Sequence, residues 1–271
     1  MLALETHGDV TRLRFSTSVS RALGYEVSAY TVRGMLVDTG FPAVARELAG
    51  WLDEARLKGV VVTHHHEDHA GNLELISRGG LPVAIAPITL RAVRELGRLD
   101  LYRRICWGQP PELATEITPF VARGLRLIHL PGHSPDHHVV WDEEHGTLFA
   151  GDLFIGVKVR IAQDDEVVSE QIRSLRAAIA LAPERVFCAH RGPLTNPVEM
   201  LKAKADWLEE ISGEVDRLAA EGHSESAITQ QVLGREQFVA LTSRGKLTKR
   251  NLVRAVLKPG GGRREAGGGE E

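Results

Sequence analysis

The sequence predicts an α/β fold: two mixed β-sheets packed face to face, with helices on the outside. Three observations lead there. Short β-branched or alternating runs, each closed by Gly, Ser or Pro, recur through roughly the first 190 residues. Between them lie segments with apolar residues at helical spacing. Beyond Pro197 only long helical patterns remain.

In chain order, Val10–Phe15, Val27–Val32 and residues 34–38 alternate as strands across short Gly and Ser turns. Phe41-Pro42 opens an amphipathic helix with Val44, Leu48, Trp51 and Leu52 on one side. Strands at 60–62 and 83–86 follow, then a helix over 89–96. Residues 98–121 carry Tyr102, Trp107, Pro110, Pro111 and Phe120; they read equally as a flap beside a substrate cleft or as a surface excursion. The second half repeats strands at 125–130, 138–142 and 147–151, a helix near 168–181 and a strand at 185–189. Residues 1–197 therefore form one domain. Helices at 198–218, 224–233 and 247–257 make a small C-terminal subdomain over 198–258, and the Gly-rich stretch 259–271 reads as a disordered tail.

At 271 residues the chain can bury most of its apolar surface, and a composition of 43% hydrophobic and 25% charged residues is ordinary for a globular protein. A formal net charge of −3 provides no electrostatic footprint for nucleic acid. Cys106 and Cys188 are too few for a disulfide framework, so a reducing compartment is expected. With neither a signal peptide nor a spanning segment recognised, the expected location is cytoplasmic, with no membrane partner.

The chemistry concentrates after the 60–62 strand. Residues 64–69, His-His-His-Glu-Asp-His, place four imidazoles and two carboxylates in six positions. Protonated, the imidazoles would repel; neutral and buried, they would need partners. A divalent cation resolves both problems, because neutral imidazole and ionised carboxylate are its ligands. His133, Asp152 and His190 each follow a strand-like run further on.

Thr63-His64-x-His66-x-Asp68-His69, Pro131-Gly132-His133-Ser134, Ala150-Gly151-Asp152 and Ala189-His190, with Val37-Asp38-Thr39-Gly40 ahead of them, resemble the motif series of the metallo-β-lactamase superfamily. The likeness spans roughly residues 10–195 and implies the αββα sandwich, with 1–197 as its catalytic domain. It implies that His64, His66 and His133 hold one metal, that Asp68, His69 and His190 hold a second, and that Asp152 bridges them. Two Zn²⁺ suit this all-N/O set, with iron or manganese as alternatives. His66 stands where the flavodiiron branch has Glu, which favours a hydrolase. Asp38 is expected to orient a ligand and is grouped with Asp68 as catalytic. Thr63 is expected to have a structural place at the strand end or, as the alternative, to orient a ligand as Asp38 does. His65 is not expected to be a ligand, because on an extended segment it points away from His64 and His66. His137, His138 and His145 are left as surface residues or supports behind the ligands.

The resemblance further implies hydrolysis by a metal-bridging hydroxide, since paired cations lower the pKa of water from 15.7 towards about 7. An acid at Asp152 is similar to the branches containing glyoxalase II, lactonases and phosphodiesterases, and argues against β-lactam hydrolysis. The helical C-terminal part is similar to the "lactamase-beta-like" group, which includes thioesterases and a single-strand endoribonuclease. A small thioester or ester substrate is therefore expected, with a metal-dependent endoribonuclease or phosphodiesterase on single-stranded RNA as the alternative and lactonase or β-lactamase activity behind both. Lys158, Arg160 and Arg191, the last standing where relatives have Gly, are candidates to contact an anionic substrate group or to pair with surface acids. Lys246, Lys249, Arg250 and Arg254 on the last helix would have to supply an RNA groove, although a solvated helix face explains them more simply. The oligomeric state is not legible.

Overall fold

The computed structural model describes residues 1–236 and 238–259. The tail predicted as disordered lies, beyond Pro259, outside the described residues.

One sheet contains β1 (Leu2–His7), β2 (Val10–Phe15), β3 (Val27–Val32), β4 (Met35–Val37), β5 (Gly59–Val61) and β6 (Val83–Ala84), neighbours in that order. Its first four strands pair antiparallel, whereas β4, β5 and β6 run parallel. The other sheet, built from β7 (Arg126–His129), β8 (His138–Asp142), β9 (Thr147–Phe149), β10 (Arg185–Cys188) and β11 (Gly192–Pro193), is ordered β11-β10-β9-β8-β7. Here only β9 and β10 are parallel. The helices are α1 (Ser18–Ala22), α2 (Ala45–Leu52), α3 (Leu73–Arg78), α4 (Pro87–Arg94), α5 (Leu101–Trp107), α6 (Val168–Ala180), α7 (Pro197–Ala220), α8 (Glu225–Val232), α9 (Phe238–Thr242) and α10 (Lys249–Leu257).

Strand periodicity explains the layering. In β3, Tyr30 and Val32 turn toward the second sheet, while Val27 and Ala29 turn to the outer helices. The inner layer packs Val10, Tyr30 and Val61 against Val140, Phe149 and Phe187. Outside the first sheet, Phe41, Val44, Leu48, Leu73 and Ile76 cover Leu13, Phe15 and Val60. Outside the second, Leu175 of α6 and Leu201 and Leu208 of α7 share a core with Leu148 and Val186. The result is the expected αββα sandwich, in which the C-terminal helices join the outer layer of the second sheet.

Five elements escaped the sequence reading: β1, α1, α5, α9 and β11. The β1 strand is an edge strand without a buried residue, so its alternation is weak. The α1 and α5 helices are five and seven residues long, too short for a clear helical period. The α5 helix gives the unassigned 98–121 stretch its structure.

Phe149, 1% exposed, stacks on Phe187 with ring centroids 5.5 Å apart and meets Tyr30 at 5.5 Å. Phe149→Ala should therefore cost about 3–5 kcal/mol. Equilibrium urea unfolding checks this, and a cost below about 1 kcal/mol would show that the inter-sheet layer can collapse around the gap.

Candidate metal centre

Each ligand-type side chain stands just past the end of a strand. Asp38 follows β4, His64 follows β5, His133 follows β7, Asp152 follows β9 and His190 follows β10. Parallel pairing of β4 with β5, and of β9 with β10, delivers these ends to one edge of the sandwich. Backbone constraints sharpen the delivery. At Gly151, φ is +49°, and a Cβ there would lie 2.8 Å from His137 Nε2 and 3.2 Å from Thr63 Oγ1. At Gly132, φ is +125° and a Cβ would lie 2.3 Å from the Gln171 nitrogen, so neither position accepts a side chain.

The seven predicted ligands come together as two groups. Donor atoms of His64, His66, His133 and Asp152 lie within 4.8 Å of one another, and so do those of Asp68, His69, Asp152 and His190. Asp152 belongs to both. His64 Nε2 stands 3.0 Å from His66 Nδ1, which stands 3.1 Å from His133 Nε2. His190 Nε2 is 3.3 Å from Asp152 and 3.4 Å from Asp68. All seven are buried except His190, which is half-buried.

Hydrogen bonds on the far side of the rings identify which nitrogens are bare. His69 Nδ1 donates to Asp38 Oδ2 at 2.8 Å. The Thr63 hydroxyl gives its one proton to Asp38 and so accepts from His64 Nδ1 at 3.0 Å. His190 Nδ1 donates to the Glu26 carbonyl at 3.0 Å. Each ring therefore aims an Nε2 lone pair inward. His69 Nε2 and Asp152 Oδ1 are buried without a hydrogen-bond partner, although only 3.3 Å separates them. Converging lone pairs and orphaned buried acceptors fit divalent cations, and the donor set contains no thiolate: Cys188 Sγ donates to the Phe154 carbonyl instead.

The titration behaviour has the same cause. Burial pushes His64 and His66 well below the usual imidazole value and brings His133 down to about 3 and His137 to about 4. For His69 and His190 burial acts in the same sense, but the carboxylates of Asp152 and Asp68 outweigh it and raise both well above that value. Without metal, protons on these two rings take the place of cationic charge.

Of its two expected places Thr63 takes the supporting one, since its hydroxyl links Asp38 to His64. Asp38 itself adopts φ of +62°, a strained conformation held by Thr63 and His69. His65 pairs with Asp136 through both its backbone and its ring, at 2.8 and 2.7 Å. His137 and His138 are buried, and only His145 is exposed. His137 accepts the Asp152 backbone N–H at 3.0 Å while donating to the Leu130 carbonyl. The 98–121 stretch is anchored to the site, because half-buried Arg103 of α5 pairs with the buried Glu67, between His66 and Asp68. That link joins charges 36 residues apart and left no local signal.

Lys158 and Arg160 are exposed and have no carboxylate partner among the described residues. Arg191 donates to the Ile155 carbonyl at 2.9 Å, so it holds the loop after Asp152 rather than pairing with an acid. The last helix does not present the basic row considered for RNA. Lys249 is buried on the Leu233 and Arg235 carbonyls, Lys246 pairs with Asp164, and Arg254 pairs with Glu225.

The acid side of the stability profile follows from five lowered imidazoles, His138 being lowered by burial as well. Unfolded, they take up protons near pH 6.5, whereas the folded chain excludes them. Below about pH 6, His69 and His190 are charged in both states and contribute little slope. Glu166, pushed up by burial to about 7, opposes with a single proton. Metal-stripped protein should therefore lose stability between about pH 6 and 5, seen as a falling urea midpoint. A flat midpoint would contradict neutral, buried imidazoles.

Comparison with known proteins agrees with this geometry. The family model for the Metallo-beta-lactamase superfamily matches residues 25–190. The chain is 31% identical over 216 residues to "Beta-lactamase-like protein 2 homolog" of Drosophila melanogaster, covering 70% of this chain and 68% of that protein. It is 35% identical to "Hydroxyacylglutathione hydrolase" of Synechococcus sp. (strain JA-3-3Ab), over 57% of this chain and 58% of that one. The solved metallo-beta-lactamase of Hirschia baltica superimposes with a TM-score of 0.58 at 21% identity, covering 76% of this chain and 97% of that chain, a likeness of fold. Among the described residues no helix is long and apolar enough to cross a membrane. The matched span contains both halves of the His/Asp cluster, and the chain belongs to the metallo-beta-lactamase superfamily.

Proposed function

We propose that the chain is a binuclear, zinc-dependent hydrolase of thioester or ester substrates. The observation that carries this reading is the pair of donor groups sharing Asp152, each within 4.8 Å. His64, His66 and His133 would hold one cation, Asp68, His69 and His190 the other, and Asp152 both. Five imidazoles and two carboxylates without sulfur suit zinc, with iron or manganese as substitutes. Bound divalent cations supply Lewis acidity and a water ionised near neutral pH.

The chain's own residues keep that chemistry in register. Asp38 fixes His69 directly and His64 through Thr63, so one carboxylate orients a ring in each group. His137 fixes the backbone that carries Asp152. Lys158 and Arg160 stand on the loop after Asp152 with unpaired charge, suited to an anionic substrate tail. Support for a thioester comes from the relative named as a hydroxyacylglutathione hydrolase, because acylation of glutathione on sulfur gives a thioester. The dispersal of the C-terminal cations into local pairs weighs against RNA.

Zinc-loaded protein should turn over thioesters or esters in preference to lactones, phosphodiesters and single-stranded RNA when all are assayed side by side. Asp152→Asn and His66→Ala should each lower the rate by about 100-fold or more, given how much catalysis depends on placed charge. Hydrolysis undiminished in both variants sinks the reading, and salt-sensitive RNA cleavage in their place would move it to a nuclease. Asp38→Asn should weaken zinc binding about 10–100-fold in a competition titration while leaving far-UV circular dichroism unchanged.

A further inference from the structure

The α7 helix lies beyond the span matched by the family model, and its inward face is apolar with one exception. Leu201, Ala205, Leu208, Ile211 and Val215 enter the core of the second sheet, and among them sits Lys204, only 5% exposed. A buried ammonium is costly where a Leu or Met would pack without penalty. Helix packing alone gives no reason for a lysine there.

Its surroundings give one. Lys204 Nζ donates to the Leu153 carbonyl at 2.8 Å, one residue past Asp152, and lies 6.0 Å above the Phe154 ring. The turn that presents Asp152 is thus held from two sides, by His137 at the Asp152 nitrogen and by Lys204 at the next carbonyl. The ammonium also feels the charges of Glu166 and Asp152. Glu166 is held by Gln163 N at 3.0 Å and Gln171 Nε2 at 2.5 Å, with Oε1 4.0 Å from His133 Nδ1. One cation from the C-terminal helices therefore stands behind two ligand-bearing segments.

We propose that Lys204 is a positioning residue of the metal centre, holding the Asp152 turn through the Leu153 carbonyl and making α7 a working part of the site. The inference rests on the metal-centre reading above.

The test compares full-length wild type with Lys204→Met, Lys204→Arg and Leu208→Ala. Each is stripped of metal, then titrated with Zn²⁺ against a chromophoric chelator, with thermal unfolding of the stripped forms in parallel. Lys204→Met, close in volume but unable to donate, should weaken zinc binding about tenfold or more, and Lys204→Arg should recover most of that loss. Leu208→Ala, which damages the same helix contact without touching the turn, should lower Tm and leave zinc affinity within about threefold. Equal zinc affinity in Lys204→Met and wild type overturns the proposal, as does an equal loss in Leu208→Ala. Should Lys204→Met not fold, Lys204→Arg decides between the donor and mere bulk: zinc affinity near wild type supports the proposal and a tenfold loss counts against it. Wild type that binds no Zn²⁺ removes the metal-centre reading itself, an outcome separate from failure of the lysine variants alone.

Discussion

One buried carboxylate sets the geometry on which the site depends. Asp38 accepts from the Thr63 backbone and hydroxyl and from His69 Nδ1, at 2.8 to 3.0 Å. Through Thr63 it also determines which nitrogen of His64 carries the proton. Two rings, one in each donor group, are therefore held with Nε2 turned inward. The cost is local: Asp38 adopts a positive φ that a non-glycine residue avoids, and the dense hydrogen bonding around it offsets that strain.

The sandwich makes such an arrangement affordable. Inner faces of the two sheets meet through Tyr30, Phe149 and Phe187, a rigid aromatic layer directly beneath the strand ends that carry Asp38, Asp152 and His190. Parallel strands deposit their C-terminal ends at a common edge, so residues more than a hundred positions apart become neighbours without long loops. Supports then arrive from outside this frame. Arg103 of α5 neutralises Glu67 within the histidine cluster, and Lys204 of α7 reaches the turn after Asp152. Both are counter-charges in a site crowded with acids, Lys204 buried and Arg103 half-buried.

Much of this was legible in the sequence. The His64–His69 cluster stands out because side chains so costly to bury together make sense only around a cation. That His133, Asp152 and His190 join the cluster, and that Asp38 supports it, was legible through the motif series they share with the superfamily, each motif standing after a strand-like run. Arg103 and Lys204 were passed over, and Thr63 and His137 left between two readings, for a common reason: each acts through a contact whose partner is distant in sequence or is a backbone atom, and neither leaves a motif. The basic residues near the last helix left an RNA groove open as the lesser reading, since their spacing suggests a stripe, whereas Lys246 and Arg254 find their partners in Asp164 and Glu225.

By itself, then, the sequence determined the layered α/β class, the chemical identity of the donor set and the order in which strands present it. The class follows from local periodicity and the His64–His69 cluster from the energetics of burying titratable groups, whereas the full donor set was legible through its likeness to the superfamily's motif series. Tertiary structure alone decided which nitrogens face inward, how closely the donor atoms approach one another, and that α5 and α7 lean on the site. Those depend on distances of about 3 Å between atoms far apart along the chain, which only the packing of the two sheets and their helices can set.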